Sequence, residues 1–256
     1  MGHDRRMAKP HTIPLALVLG LLAAPATAAE LVWPDSGAYA AYPAAEDEPT
    51  LRWLLPLELR HLDNPFGLPR GAGPRDDTQA SAGVGTQMRL KHGLQAFDLD
   101  ASADYVRFDR FDFLDHWRYD ARGRWRWAVS SRWAGDLGVA SQRSLAHLAD
   151  LQFAVKDLVT THHAFASAAF RATPRWRVRL GADGYDVRNS ADLLEVLDYR
   201  LARGTAAIEW LSREGNAFGV QYRQSVGDYP HREADVGATV DNHYDERESS
   251  FVADWQ

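Results

Sequence analysis

The stretch that decides the fold is Trp117-Arg118-Tyr119-Asp120-Ala121-Arg122-Gly123-Arg124-Trp125-Arg126-Trp127. Trp117, Tyr119, Ala121, Gly123, Trp125 and Trp127 share one parity; Arg118, Asp120, Arg122, Arg124 and Arg126 share the other. An extended strand sends successive side chains to opposite faces, so this segment has an aromatic, small-residue face and a charged face. A helix would scatter the charges around its circumference. A soluble sandwich would not bury one face beside a row of arginines. A wall with lipid on one side and water on the other asks for this alternation. At ~3.3 Å per residue and ~40° of tilt, Trp117 and Trp127 stand roughly 25 Å apart along a membrane normal. That is about the height of a barrel's apolar band, so both indoles reach an interface.

Four more segments repeat the pattern. In 94–106, Phe97, Leu99, Ala101, Ala103 and Tyr105 alternate with Asp98, Asp100, Ser102 and Asp104. In 51–61, Leu51, Trp53, Leu55, Leu57 and Leu59 alternate with Arg52, Glu58 and Arg60. In 176–186, Trp176, Val178, Leu180 and Ala182 alternate with Arg177, Arg179 and Asp183. In 78–91, Ala80, Ala82, Val84, Met88 and Leu90 alternate with Ser81, Gln87, Arg89 and Lys91. Weaker candidates at 132–143, 160–172, 198–211, 217–226 and 243–255 bring the expected count to ten strands.

The joins alternate in length. His92-Gly93, Val129–Ser131, Thr173-Pro174 and Arg213–Asn216 mark short turns. Long polar joins lie at 63–77, 109–116, 144–157, 189–197 and 227–242. Short turns on one side and long loops on the other are the layout of an outer-membrane barrel, with the N-terminus periplasmic and the long loops extracellular. A bladed propeller gives similar spacing, but no blade signature recurs. A soluble sandwich or lipocalin-like barrel hides its apolar side chains inside, whereas here the polar row is nearly continuous and highly charged. The expected fold is all-β: an antiparallel up-and-down transmembrane β-barrel over 49–256.

The beginning of the chain agrees. Arg5, Arg6 and Lys9 precede an apolar run from Ile13 to Ala26, which closes on Ala26-Thr27-Ala28. Basic, apolar and small segments in that order are a secretory signal peptide, 1–28. Residues 29–48, ending in Glu46-Asp47-Glu48, read as a flexible N-terminal segment. Removing the +2 of the signal segment from the −6 of the whole chain leaves −8, which is not a nucleic-acid binder's balance. Without cysteine there is no disulfide framework and no thiolate chemistry. The mean hydropathy of −0.40 suits a barrel, where only alternate residues meet lipid. Nine Trp, nine Tyr and ten Phe supply the interface aromatics, expected at Trp53, Phe97, Tyr105, Trp117, Tyr119, Trp125, Trp127 and Trp176.

Several short pieces then carry a resemblance. Arg60-His61-Leu62-Asp63-Asn64-Pro65-Phe66-Gly67-Leu68 closes the first strand. Asp104-Tyr105 leads to Phe111-Asp112-Phe113-Leu114-Asp115, and Arg124-Trp125-Arg126-Trp127 follows. Gly227-Asp228-Tyr229-Pro230-His231-Arg232 opens the last long loop. From about residue 50 onward the chain resembles the EpsL-like exosortase-associated exopolysaccharide outer-membrane β-barrel family. The resemblance implies a role in export, or assembly of the export route, of an extracellular polysaccharide. Its implied partners are outer-membrane lipid, the polysaccharide and other proteins of the export machinery. Members of that family are longer, which implies further strands beyond Gln256. Ten strands would also make a complete circuit, because an even count returns the chain to the periplasm.

The residues expected to face the lumen are Glu58, Arg60, Asp98, Asp100, Asp104, Arg118, Asp120, Arg122, Arg124, Arg126, Arg177, Arg179 and Asp183. Two readings of them stand open. The charges pair across strands and stiffen or plug a small barrel, or they bind an acidic or hydroxylated glycan by charge-assisted hydrogen bonds. Tyr185 and Phe108 are candidate stacking surfaces for sugar rings. His162-His163 is no chelate, since neighbours on a strand point to opposite faces. His231, Asp235, Asp241 and His243 are a weak candidate for a cation in the last loop. Gly83-Val84-Gly85 lies inside a strand pattern, where glycine relieves crowding rather than cradling phosphate. No cofactor and no metal is expected. There is no G-x-S-x-G elbow, and an outer-membrane lipase or deacylase would need Ser, His and an orienting group together near the membrane surface. The sequence does not pick such a set, so the chain reads as a non-enzyme.

Overall fold

The computed structural model describes residues 50–67, 76–148, 155–213, 216–232 and 242–254. The signal segment, the segment 29–48, and Asp235 and Asp241 lie outside the described residues. The strands are β1 (Thr50–Leu54), β2 (Leu57–Asp63), β3 (Asp76–His92), β4 (Gln95–Phe108), β5 (His116–Val129), β6 (Trp133–Leu145), β7 (Leu158–Thr173), β8 (Trp176–Arg188), β9 (Tyr199–Leu211), β10 (Ala217–Asp228) and β11 (His243–Asp254). They form one antiparallel up-and-down sheet in sequence order, with β1 and β2 both paired to β3. The fold is therefore all-β, as the alternation requires. Among the described residues the sheet does not close: β1 and β2 pair only with β3, and β11 pairs only with β10.

The expected single strand 51–61 is two elements, and Pro56 is the reason. Leu54 faces Gly85 and Leu57 faces Ala82, so the register runs through without a slip. Pro56 O accepts the Gly83 N–H at 3.1 Å, but proline has no N–H to return. One ladder bond is lost and the strand is interrupted, at the edge of a sheet where proline is tolerated.

Turns fix the rest of the register. Gly93 takes φ +58 between β3 and β4, and Ser130 takes φ +65 between β5 and β6. The long joins are less uniformly polar than expected. Phe66, Leu114 and Leu148, one from each of the first three joins, bury themselves with Val106 and Phe108 in an apolar knot at the loop end of the sheet. Buried aspartates organise the backbone around it. Asp77 accepts from the N–H groups of Asp109, Arg110 and Phe111, and Asp157 accepts from those of Ser190 and Ala191. Such carboxylates satisfy loop donors that no ladder reaches. Phe108, 3 % exposed in this knot, is not available to stack on a sugar.

Burial across the sheet runs opposite to that of a soluble protein. Trp53, Trp117, Val139, Leu180 and Ile208 are all at least 57 % exposed, while Asp104, His163, Arg177, Glu209 and Ser225 are 6 % exposed or less. Curling around the polar face buries it and leaves the apolar face outside. Close strand approach within the curl explains Gly83. A Cβ there would sit 2.3 Å from Ala103 O and 2.4 Å from Asp104 Cβ. Gly83→Ala is expected to lower stability by about 1–3 kcal/mol through forced backbone movement, read as a lower urea midpoint of the refolded protein.

Candidate functional site: the charged face

Register places every expected lumen residue on one face. Asp104 stands opposite Arg118, Asp98 opposite Arg124, Asp100 opposite Arg122 and Ser102 opposite Asp120. Glu58 and Arg60 face Ser81 and Gln79, and Arg177 faces Glu209 as Asp183 faces Arg203. The aromatic set takes the other parity throughout, from Trp53 on β1 to Trp176 on β8. It gathers in cross-strand pairs: Phe97 stacks on Trp125 at 5.7 Å, Tyr105 leans on Trp117 at 5.4 Å, and Trp133 meets Phe170 at 4.5 Å.

The charges are cross-linked. Arg118 bonds Asp104 at 2.9 Å and reaches Glu58 at 3.5 Å, while Glu58 also holds Arg60 at 2.6 Å. Asp98 takes Arg126 at 2.8 Å and Arg89 at 3.2 Å, and Arg89 also binds Asp100 at 2.9 Å. Arg122 folds back on Asp120 at 2.8 Å along its own strand. The deepest cluster lies at the turn end of β8 and β9, where Glu209 accepts a hydrogen bond from Arg177 at 2.6 Å and forms an ion pair with Arg179 at 2.7 Å.

Arg89, placed by its alternation on the polar side of 78–91, joins the lattice, and three members had no place in the sequence reading: Asp136, Arg203 and Glu209. Asp136 holds Arg124 at 2.9 Å, and Arg203 holds Asp183 at 2.9 Å. Most lie on strands whose alternation is weak, where Ala and Gly dilute the pattern. For Asp136 the short turn between β5 and β6 was the signal, because counting outward from it gives the pairing, whereas Arg203 and Glu209 meet Asp183 and Arg177 across the long join between β8 and β9, which no count from a tight turn aligns.

The two adjacent histidines separate as their spacing requires. His162 is exposed on the apolar face, and His163 is 6 % exposed on the charged face. The His163 ring stacks on Tyr185 at 4.1 Å, and the Arg203 guanidinium lies 5.2 Å from the Tyr185 ring centre. Tyr185 is thus covered by His163 and approached by Arg203. In the last loop His231 pairs with Asp198 at 3.1 Å and His243 approaches Asp228 at 3.6 Å. The two histidines have separate carboxylate partners, and no metal-binding cluster forms among the described residues.

Chemically, the charged face is a dense lattice of guanidinium donors and carboxylate acceptors. It has the means to hold hydroxyls and acidic groups, and the means to neutralise itself. No protein-family model, no curated protein and no solved structure matches this chain.

Proposed function

We propose that this chain builds the wall of a bacterial outer-membrane β-barrel, with its apolar face in lipid and its charged face lining a lumen. The wall serves the export or assembly of an extracellular polysaccharide. The observation that carries the membrane reading is the inverted burial: large apolar side chains exposed on one face, and paired charges buried or half-buried on the opposite face. Water penalises that arrangement and a bilayer rewards it. The polysaccharide reading rests on the resemblance of the loop and strand motifs, supported by the chemistry of the face. Arginines fixed by carboxylates present remaining N–H donors to acidic or hydroxylated polymers. The N-terminus is then periplasmic and the long joins extracellular.

The buried Arg177–Glu209–Arg179 cluster favours a second reading, a barrel whose lumen is closed by its own ion pairs and whose role is structural. Conductance of the refolded chain in planar bilayers separates the two. The transport reading expects discrete conductance steps that an added acidic polysaccharide reduces from one side. A bilayer sealed at all voltages contradicts it and leaves the structural barrel.

A further inference from the structure

A polar row also crosses the apolar face. Ser141 on β6 stands directly opposite His162 on β7, and His162 directly opposite Asp186 on β8. All three share the parity of the exposed Trp133 and Trp176 and the half-buried Phe170 on the same strands, so they point outward together. Directly opposed residues keep their Cβ atoms ~4.5–5.5 Å apart. A hydroxyl, an imidazole and a carboxylate therefore lie side by side, with the imidazole in the middle. Nucleophile, base and orienting acid in that order are what acyl transfer needs.

The depth is equally specific. Asp186 lies ten residues from Trp176, about 25 Å above the turn-side aromatic belt, and Ser141 lies eight from Trp133, about 20 Å above it. That is where the apolar band gives way to lipid ester linkages. Below the row the side chains shrink. Gly123, Val139, Ala164 and Gly184 line an open groove of about 690 Å³ together with Ser141, His162, Asp186 and Arg200. An adjoining groove continues toward the band centre past Ala166 and Ala182. Arg143, two residues past Ser141 on the same face, has a buried Nε without a hydrogen-bond partner. An oxyanion beside Ser141 would supply one. In the resting arrangement Ser141 Oγ donates to Tyr119 Oη at 3.4 Å, and Asp186 accepts from Arg188 at 2.8 and 3.0 Å. Catalytic contacts commonly tighten only when substrate is bound.

We propose that Ser141, His162 and Asp186 form an outward-facing hydrolase site for an acyl ester of a membrane lipid that enters sideways from the bilayer. Ser141 Oγ attacks the ester carbonyl carbon while His162 takes its proton. Asp186 orients the imidazole, and Arg143 receives the oxyanion. The C–O bond to the leaving alkoxide breaks, and His162 returns the proton to that oxygen. Water, deprotonated by His162, then attacks the acyl-Ser141 carbonyl. The acid departs and Ser141 regains its proton, so one ester and one water give one carboxylic acid and one alcohol. The site uses the opposite face from the charged lattice and does not depend on polysaccharide passage.

The test refolds the full chain into two sets of vesicles, one of phosphatidylethanolamine and one doped with an acylated glycolipid, and measures released fatty acid by mass spectrometry. A fluorophosphonate probe reports Ser141 independently of turnover. The wild type is expected to release fatty acid from at least one set and to take up the probe. Ser141→Ala, whose fold is checked by its β circular dichroism, should lose both, with turnover falling about 1000-fold or more. Asp186→Asn should keep Ser141 in place yet turn over at least 10-fold more slowly. The lipid set that is cleaved identifies the substrate class. No release from either set, or release that survives Ser141→Ala, overturns the proposal.

Discussion

Glu209→Ala is expected to destabilise the folded sheet by about 3–5 kcal/mol, the cost of removing the carboxylate from a buried ion-pair cluster. Glu209 is 1 % exposed and Arg177 6 %, and the one carboxylate serves two guanidinium groups, Arg177 at 2.6 Å and Arg179 at 2.7 Å. Removing it leaves two like charges facing each other across a small cavity. Unfolding of the refolded protein by urea in vesicles, followed by tryptophan fluorescence, should show the midpoint collapse. The shape-preserving Glu209→Gln should recover only part of the loss, because the amide accepts one hydrogen bond but carries no charge. Replacing the cluster as a whole by apolar residues of similar volume should come out near neutral, since desolvation and attraction nearly cancel in such sites. The exposed Glu58–Arg60 pair gives the contrast. With side chains 34 % and 57 % exposed, Arg60→Ala should change stability by only about 0–1 kcal/mol. A Glu209→Ala variant as mild as Arg60→Ala would mean that water reaches the cluster freely.

Much of this was legible before the fold was known, for one physical reason. A period of two is a local property, and eleven consecutive residues from Trp117 to Trp127 display it without a fault. Both faces of β5 followed from that alone. The joins were legible for a similar reason, because Gly93 and Pro174 punctuate the chain where regular pairing ends. What the pattern does not encode is which strand residue meets which. The partners of Arg124, Arg177 and Asp183 come from neighbouring strands, and their identity depends on register. In the hairpin of β3 and β4, counting outward from Gly93-Leu94 yields Arg89 opposite Asp98. The row Ser141–His162–Asp186 spans three strands and two joins, one of them twelve residues long between β6 and β7. No local signal aligns those three positions, so the set became visible only with the register. Pro56 erred in the opposite direction. The alternation read straight through it, because side-chain parity is blind to a missing N–H.

Leu180→Arg separates a membrane wall from a soluble sheet. Leu180 points out of the apolar face near the middle of β8, is 58 % exposed, and pairs across strands with Ala168 and Ala206. In water this substitution is harmless: an exposed leucine gives way to an arginine with ample room beside two alanines, and stability should move by less than about 0.5 kcal/mol. In a bilayer the same position lies four residues above Trp176, roughly 10 Å into the apolar band. There an arginine costs about 2–4 kcal/mol, falling to about 0–1 kcal/mol toward the interfaces. Val226→Arg supplies the depth control, because Val226 has the same outward parity but stands two residues from the loop end of β10. The expected result is a large loss for Leu180→Arg and a small one for Val226→Arg, both measured by urea unfolding in phospholipid vesicles. Equal and negligible losses would place water, not lipid, against the apolar face and remove the physical basis for a membrane wall. A loss that grades with depth ties the aromatic rows to the two interfaces and sets the level at which Ser141, His162 and Asp186 meet the lipid.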